Sequence, residues 1–335
     1  MSKARKVILI ILSAVALLVI GAYVFLQIQL NKINRISTGE TEFTAEDFDE
    51  DTDDPDTISS VDWGRLNGVE TRPGVTNILL VGQDTRVAGQ RARSDSMIIL
   101  TVDTDRSRLS MVSLMRDLYV QIPGYSDNKI NAAYAFGGFP LLDQTIETNF
   151  GIHIDYNVEV DFAGFKNVID TLGGIDITLN EEEVAYMNGT HKYSYKSQQD
   201  PISGLVVGTN HLDGEAALMY ARIRYVGTGN YRDDYGRTQR QRIVIQTVFR
   251  QIKDQPWGSL LTIYDKVSGD LTTDMTNDEI LSIALTAYGL GADSIDEYRI
   301  PADGTYSGQR VHGMEVLVPN DWNSTRADLQ EFIYG

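Results

Sequence analysis

The fold class is decided by a stretch with three short apolar runs, TNILLV (76–81), SMIILTV (96–102) and RLSMVSL (108–114). Each run is bounded by turn-forming residues and is rich in residues that favour strands, so each is predicted to be a buried β-strand. The same pattern predicts four more strands, at 157–162, 174–179, 297–300 and 314–318.

Segments with a helical spacing of apolar residues alternate with these strands, at 139–150, 162–172, 213–221, 234–252, 257–267 and 276–288. In the last of them, Glu279 follows Thr276 at the spacing of a capping box. Strands and helices in this order predict a single three-layer α/β/α domain with a central mixed sheet.

Composition excludes several classes of function. The chain has 335 residues, a net charge of −18 and no cysteine. Thiol nucleophiles, disulfides and cysteine-ligated metal sites are therefore excluded, and the average surface would repel nucleic acid. The four histidines lie far apart, and the sequence contains no H-E-x-x-H, G-x-S-x-G or phosphate-binding-loop motif.

The N-terminal region predicts a membrane anchor. Residues 7–26 (VILIILSAVALLVIGAYVFL) are twenty residues without a charge, and a helix of that length spans the roughly 30 Å hydrocarbon core. The tail at 1–6 carries Lys3, Arg5 and Lys6, so the positive-inside rule places it in the cytoplasm. A cleaved signal peptide is the alternative, but its apolar run would be shorter.

An acidic linker is predicted after the anchor. Residues 38–60 carry ten acidic residues and no basic one, which favours an extended, solvated chain. We therefore expect a linker over 27–60 and an extracellular folded domain over 61–335. The protein is expected to be a single-pass protein of the cell membrane, and the absence of cysteine from an exported protein fits a Gram-positive bacterium.

Arginine is concentrated near the middle of the predicted domain. Six arginines and no lysine lie within residues 222–242. Lysine would serve a solvated surface equally well, whereas arginine is favoured where phosphate is bound by paired hydrogen bonds. Arg237, Arg240 and Gln241 are predicted to share one helix face, and Asp234 lies near the start of that helix. The alternative is a charged helix that pairs with the acidic surface.

Two aspartates stand at the ends of the first two predicted strands. Asp84 follows the strand at 76–81, and Asp95 comes directly before the strand at 96–102. Arg93 lies beside Asp95, and Arg116 follows the third strand. Carboxylate oxygens beside basic residues suit Mg²⁺ that bridges a phosphate, although each aspartate taken alone is typical of a turn.

Seven stretches between residues 74 and 250 form an ordered set of motifs: NILLVGQD (77–84), RSDSMIIL (93–100), VSLMRDLYVQIPG (112–124), NKINAAYAFGG (128–138), FAGFKNVIDTLGGIDI (162–177), HLDGEAALMYARIRY (211–225) and DDYGRTQRQR (233–242). Through them the chain resembles the LytR-CpsA-Psr family of bacterial cell-envelope proteins. A short N-terminal anchor before an external catalytic domain is also the family arrangement.

The resemblance implies a Mg²⁺-dependent transferase. Such proteins take a glycopolymer, for example teichoic acid or capsular polysaccharide, from an undecaprenyl-pyrophosphate carrier. They attach it with one phosphate to peptidoglycan. The lipid tail would occupy an apolar tunnel. The apolar segments at 132–150 and 162–172 could form its walls, and the alternative, favoured for each residue taken alone, is packing in an ordinary core. The expected partners are the lipid-linked glycopolymer, peptidoglycan and the membrane, and not nucleic acid.

The resemblance also implies roles for individual residues. Asp84 and Asp95 would hold Mg²⁺. The catalytic residues would be Arg93, Arg116 and Asp234, with Asp234 as the candidate base for the acceptor hydroxyl. The pyrophosphate would be bound by Arg93, Arg116, Arg222, Arg224, Arg237, Arg240 and Gln241.

Three alternative functions remain open at this point. A pyrophosphatase would use the same residues with water as the acceptor. A non-enzymatic envelope regulator or attenuator is a second alternative, but an acidic domain across the membrane from DNA is poorly suited to regulate transcription. A lipid- or wall-binding scaffold is the third, and it would not need Mg²⁺ at the scissile phosphate.

Overall fold

A computed structural model describes residues 26–36, 56–58, 60–66, 68–83, 94–197 and 199–335. The predicted tail at 1–6 and residues 7–25 of the predicted anchor lie outside these ranges, as do Asp84 and Arg93. Within the described ranges, no helix combines the length and apolarity needed to cross a membrane.

The strands are, in chain order, β1 (Asn34–Arg35), β2 (Val75–Gln83), β3 (Ser94–Asp103), β4 (Arg108–Leu114), β5 (Tyr119–Val120), β6 (Asn128–Lys129), β7 (Tyr156–Asp161), β8 (Ile175–Leu179), β9 (Gly208–Leu212), β10 (Leu271–Thr273), β11 (Asp296–Ile300), β12 (Tyr306–Val311) and β13 (Met314–Pro319). The helices of eight or more residues and one shorter helix are α1 (Ile130–Phe150), α2 (Phe162–Thr171), α3 (Glu181–Met187), α4 (Gly214–Arg222), α5 (Asp233–Lys253), α6 (Trp257–Val267), α7 (Asn277–Gly289) and α8 (Trp322–Tyr334).

A mixed sheet forms the centre of the described domain, with the strand order β1-β10-β7-β2-β3-β4-β11. β2, β3 and β4 are antiparallel neighbours, whereas β2 pairs in parallel with β7, and β4 with β11. The predicted mixed α/β architecture is confirmed. The strands predicted around 76–81, 96–102 and 108–114 form its middle, and each is buried because helices cover both faces.

Alternate residues of the strands serve the two faces of the sheet. Leu79 and Ile99 point to one side, into a core shared with α1 and α8. Ile98 and Met111 point to the other side, where Ile245 of α5 is among the residues packed against them. The three layers are therefore α1 with α8, the sheet, and the helices around α5.

Three small two-stranded sheets surround the central one: β5–β6, β8–β9 and β12–β13. The strand predicted at 174–179 exists as β8, but among the described strands it pairs with β9 alone and does not join the central sheet. In β8 buried and exposed residues alternate, the pattern of a strand with one solvated face. The segment predicted as a helix from 139 begins earlier, since α1 starts at Ile130.

The helix predicted at 276–288 has the expected start. Thr276 accepts a hydrogen bond from the backbone N–H of Glu279, and the Glu279 side chain accepts from the backbone N–H of Thr276, so the capping box is confirmed. This reciprocal pair satisfies two N–H groups that the first helical turn would otherwise leave without partners.

Residues 26–36 belong to the folded domain, which corrects the predicted linker at 27–60. β1 pairs in parallel with β10, and Leu30 and Ile33 are buried. Lys32 forms an ion pair with Asp265 of α6. The linker prediction rests on charge, but the ten acidic residues begin only after residue 36. The apolar residues of segment 26–36 are buried at the edge of the central sheet instead.

Candidate functional site

An apolar cavity of about 610 Å³ lies between the central sheet and helices α2, α4, α5 and α6. The sheet contributes Leu80, Ile98 and Val160, and the apolar residues of the helices line the other sides. Arg237 and Ile252 of α5 both line it, and fifteen residues of helix separate them by about 22 Å. The cavity is therefore elongated along α5.

Only one of the two predicted tunnel walls lines this cavity. Phe162, Phe165 and Ile169, from the segment at 162–172, do so. For 132–150 the alternative of an ordinary core is correct, because α1 packs on the opposite face of the sheet in a core with α8. The facing wall is instead the apolar side of α5, which carries Val244 and Val248.

Four of the predicted pyrophosphate ligands line the cavity, and together they make one end of it polar. Arg222 is the last residue of α4, Arg224 follows in extended chain, and Arg237 and Gln241 lie on one side of α5. The Arg222 guanidinium lies 4.4 Å from the centre of the Phe162 ring, a cation–π contact. We call this group the polar end of the cavity.

Asp234 connects three of the arginines. Its carboxylate lies 3.1 Å from Nε of Arg116, 3.2 Å from Nε of Arg224 and 3.6 Å from Nη2 of Arg237. Burial alone would raise the pKa of Asp234, but the charges of Arg237, Arg116 and Arg224 outweigh it and hold that pKa below its usual value. Asp234 is thus a fixed carboxylate that orients the guanidinium groups.

Arg116 extends the site beyond the cavity. Its Nε also lies 3.4 Å from the carboxylate of Asp117, which in turn lies 3.4 Å from Nζ of Lys129. Lys129 is buried, at 7% exposure, and it was not among the predicted site residues. The lysine of the motif NKINAAYAFGG was the signal that could have found it.

Arg240 does not join the polar end of the cavity. Its guanidinium is fully buried and donates to Glu183 Oε1 at 2.8 Å, to the Ile223 carbonyl at 3.0 Å and to the Val226 carbonyl at 2.9 Å. It fixes the chain on both sides of Arg224 instead of facing the cavity. Arg242 is likewise buried, paired with Glu297 at 3.0 Å.

The predicted metal ligands, Asp84 and Asp95, are chain neighbours of the paired ends of β2 and β3. Asp84 lies outside the described residues, and only the backbone of Asp95 is described. Their chain neighbours Gln83 and Ser94 are paired across β2 and β3, with a bulge between Gly82 and Gln83. Ser96, one residue beyond Asp95, bonds Gln241 Oε1 through its hydroxyl at 3.2 Å. The hairpin therefore returns residue 95 to the strand end that leads to residue 84.

The described residues contain no cluster of three or more acidic, histidine or cysteine side chains with the geometry of a metal site. Two further residues at the polar end were not predicted, Lys196 and Tyr225. Tyr225 ends the motif HLDGEAALMYARIRY, which could have indicated it, whereas nothing in the sequence marks Lys196.

A comparison with known protein families shows to which family this chain belongs. The sequence profile of the LytR_cpsA_psr family matches residues 36–326. The chain belongs to the LytR-CpsA-Psr family. The predicted resemblance is confirmed, and the match begins within the N-terminal segment that carries β1.

Two named bacterial proteins are similar to this chain over most of its length. TagU of Bacillus cereus, named a polyisoprenyl-teichoic acid–peptidoglycan teichoic acid transferase, is 32% identical over 232 residues, which are 68% of this chain and 69% of TagU. The regulatory protein MsrR of Staphylococcus aureus is 29% identical over 270 residues, 80% of this chain and 77% of MsrR.

Solved structures of the family have the same fold. TagV of B. subtilis superposes with a TM-score of 0.60 at 29% identity, covering 78% of this chain and 98% of TagV. The family protein YwtF (TagT) with bound octaprenyl pyrophosphate lipid superposes with a TM-score of 0.58 at 25% identity, covering 79% of this chain and 93% of TagT.

Proposed function

We propose that this chain transfers a glycopolymer, with one phosphate, from a polyprenyl-pyrophosphate carrier to peptidoglycan. One observation carries the proposal: an elongated apolar cavity of about 610 Å³ that ends at Arg222, Arg224 and Arg237. An apolar chain with a diphosphate at one end matches both parts of this site. The names of TagU and of the lipid-bound TagT structure support the same substrate class.

The apolar part supplies affinity for the carrier lipid. Each CH₂ group that leaves water contributes about 0.8 kcal/mol. The cavity is lined mainly by aliphatic and phenylalanine side chains of the sheet, α2, α4 and α5. An undecaprenyl chain is therefore proposed as the ligand, with its isoprene units along α5.

The polar end supplies recognition of the diphosphate. Guanidinium groups offer paired donors that match phosphate oxygens. Asp234 holds Arg116, Arg224 and Arg237 around one point, so these donors are oriented before the ligand binds. Pre-oriented charge is the main way to stabilise the transition state of phosphoryl transfer.

The proposed reaction needs no covalent intermediate on the protein. The acceptor hydroxyl attacks the phosphorus that carries the glycan, a new O–P bond forms, and the P–O bond to the bridging oxygen breaks. Polyprenyl phosphate leaves with that oxygen, stabilised by the arginines, and the hydroxyl proton passes to a base. We assign the base role to Asp234, whose carboxylate touches Arg116 and Arg224, is ionised before the reaction and takes up the hydroxyl proton in this step.

Mg²⁺ is proposed as the cofactor, held by Asp84 and Asp95 with the substrate phosphates. Mg²⁺ is commonly bound by one or two carboxylates together with substrate phosphates and water. The pairing of Gln83 with Ser94, and the contact of Ser96 with Gln241 at the polar end, support this assignment. When bound, the ion would neutralise charge on the pyrophosphate, and Arg93 would add to this effect.

The proposed location follows from the same substrate. Peptidoglycan lies outside the cytoplasmic membrane, so we propose that residues 7–26 anchor the chain and leave the domain on the outer side. Protease added to wall-stripped cells would then remove the domain.

The lipid assignment is tested with a cavity-filling variant. In Val248→Trp, the indole would occupy space between α5 and the sheet. We expect polyprenyl lipid retained through purification to fall by about tenfold or more, because displacing two buried CH₂ groups already costs that much. The control is Leu285→Trp on α7, where the side chain is 46% exposed. Mass spectrometry of extracted lipid is the measurement, and a wild-type protein that neither retains nor takes up polyprenyl lipid contradicts the proposal.

The metal assignment is tested by the Mg²⁺ dependence of transfer. Asp95→Asn keeps the shape of the side chain and removes its charge. We expect the Mg²⁺ concentration for half-maximal transfer to rise by at least about tenfold, the smaller end of what loss of a metal-site partner costs. Asp328→Asn, an exposed carboxylate on α8, is the control. An unchanged Mg²⁺ requirement in both Asp84→Asn and Asp95→Asn would place the metal elsewhere.

A further inference from the structure

The apolar cavity is called the lipid cavity from here on, after its proposed ligand. A second groove, with both polar and apolar lining, adjoins the polar end of the lipid cavity. Its volume is about 590 Å³, and Tyr195, Gln199, Asp200 and Glu215 are among its lining residues. Ser197 lines both this groove and the lipid cavity, so the two spaces meet there. We call it the Tyr195 groove.

An exposed aromatic ring stands on the Tyr195 groove. Tyr195 is 75% exposed, the largest exposure among the large apolar side chains of the described residues. Nζ of Lys196 lies 5.4 Å from the centre of its ring and 5.8 Å from that of Tyr225. An exposed ring that has an apolar face and a polar tip is typical of binding surfaces.

The polar side chains of the groove are held in place by one another. Glu215 accepts from Nε2 of Gln199 at 2.6 Å and from Nζ of Lys166 at 3.0 Å. These hydrogen bonds, that of Gln199 first, lower the pKa of Glu215. Ser197 donates to the Gln199 carbonyl at 2.9 Å. Glu215 is therefore a fixed, ionised acceptor next to Tyr195.

The chemistry of the groove indicates the class of its ligand. The carboxylates of Asp200 and Glu215 accept hydrogen bonds from hydroxyl groups and repel phosphate. The ring of Tyr195 offers an apolar face. Hydroxyl groups around a ring with an apolar C–H face are the features of an uncharged sugar.

We propose that the Tyr195 groove binds the first sugars of the lipid-linked glycan donor. This inference rests on the proposed function, because the sugars are attached to the pyrophosphate at the polar end. The donor is favoured over the peptidoglycan acceptor since the groove adjoins Arg222 and Arg224 through Ser197 and Lys196, which line the lipid cavity with them. A glycan bonded to a phosphate there can extend past Lys196 and Ser197 to Tyr195, because Lys196 contacts the rings of both Tyr225 and Tyr195.

The test compares two ligands that differ only in their sugars. The probes are a polyprenyl-pyrophosphate-linked disaccharide and polyprenyl pyrophosphate without sugar. For Tyr195→Ala we expect the dissociation constant of the sugar-bearing lipid to rise by about 3- to 10-fold, the range of an aromatic contact. Glu215→Gln should act in the same direction. Neither variant should change binding of the lipid without sugar. The control is Tyr288→Ala, a 51% exposed tyrosine on α7.

Each outcome decides one of the two proposals. If Tyr195→Ala and Glu215→Gln bind both lipids like the wild type, the groove is not a sugar site. If they change only the KM for peptidoglycan fragments in the transfer assay, the groove belongs to the acceptor and the inference is wrong. If the wild type binds the sugar-bearing lipid but transfers nothing to peptidoglycan, the proposed function fails while the groove is still tested by binding.

Discussion

Arg237→Lys is expected to lower the rate of glycan transfer by about 10- to 150-fold. The Arg237 side chain is 4% exposed, lies 3.6 Å from Asp234 and lines the lipid cavity. Lysine keeps the charge but loses the planar set of donors. The lost contact in a closed site should cost roughly 1.5–3 kcal/mol, the value of a charged hydrogen bond, which gives the stated loss in rate.

The same helix supplies the control for this prediction. Arg250 is exposed on α5 and donates only to the Gln246 carbonyl at 3.3 Å among the described contacts. Arg250→Lys should therefore leave the rate within about threefold of wild type, as an exposed charge contributes about 0–1 kcal/mol whichever base carries it. Arg116→Lys, Arg222→Lys and Arg224→Lys should resemble Arg237→Lys. Rates for all four like that of Arg250→Lys would show that the diphosphate binds elsewhere.

Glu183→Gln is expected to lower the free energy of unfolding by about 3–5 kcal/mol, because it leaves the buried guanidinium of Arg240 without its charge partner. Both side chains are at most 1% exposed. Since Arg240 also binds the Ile223 and Val226 carbonyls, the variant should in addition disturb Arg224 and reduce transfer. Urea unfolding monitored by circular dichroism measures the first effect, and the transfer assay measures the second.

The matched control uses another buried arginine of α5. Arg242 pairs with Glu297, whose side chain is 29% exposed, so water can partly replace that partner. Glu297→Gln should cost about 1 kcal/mol, near the value of an exposed pair, and leave transfer unchanged. Equal losses of stability in Glu183→Gln and Glu297→Gln would show that the burial of the Arg240 pair has no special effect.

The strands of the sheet centre could be predicted because they are buried on both faces. The sequences of β2, β3 and β4 are apolar runs bounded by turn-forming residues, and the predicted bounds lie within the observed strands. α8 and the β12 strand were not predicted. β12 has largely half-buried residues and lacks a continuous apolar run, so its place depends on its pairing with β13.

The cavity shows where composition alone is insufficient. The segments at 132–150 and 162–172 are both apolar, and the sequence does not tell which face of the sheet each will cover. Leu142 and Phe150 of α1 are fully buried in a core, whereas Phe162 and Phe165 face the open space. The difference depends on how the chain crosses the sheet, which is a property of the whole topology.

The arginines show a limit of the spacing rule. The spacing i, i+3 and i+4 predicts one shared helix face for Arg237, Arg240 and Gln241, but at 3.6 residues per turn Arg240 and Gln241 point about 100° apart. Arg237 and Gln241 face the cavity, and Arg240 turns to Glu183 on α3. Nothing in the motif identified Glu183 as a buried partner, because it stands in a run of three glutamates.

The segment that carries β1 has a consequence for how the isolated domain would behave. β10 is only three residues long and has β7 on one side and β1 on the other. A chain that began after residue 36 would leave backbone N–H and C=O groups of β10 free, and such an open strand edge is a template for pairing with another molecule. Leu271 of β10 also lines the lipid cavity. The residues before the acidic run thus protect the sheet from edge-to-edge aggregation at the strand that closes one side of the cavity.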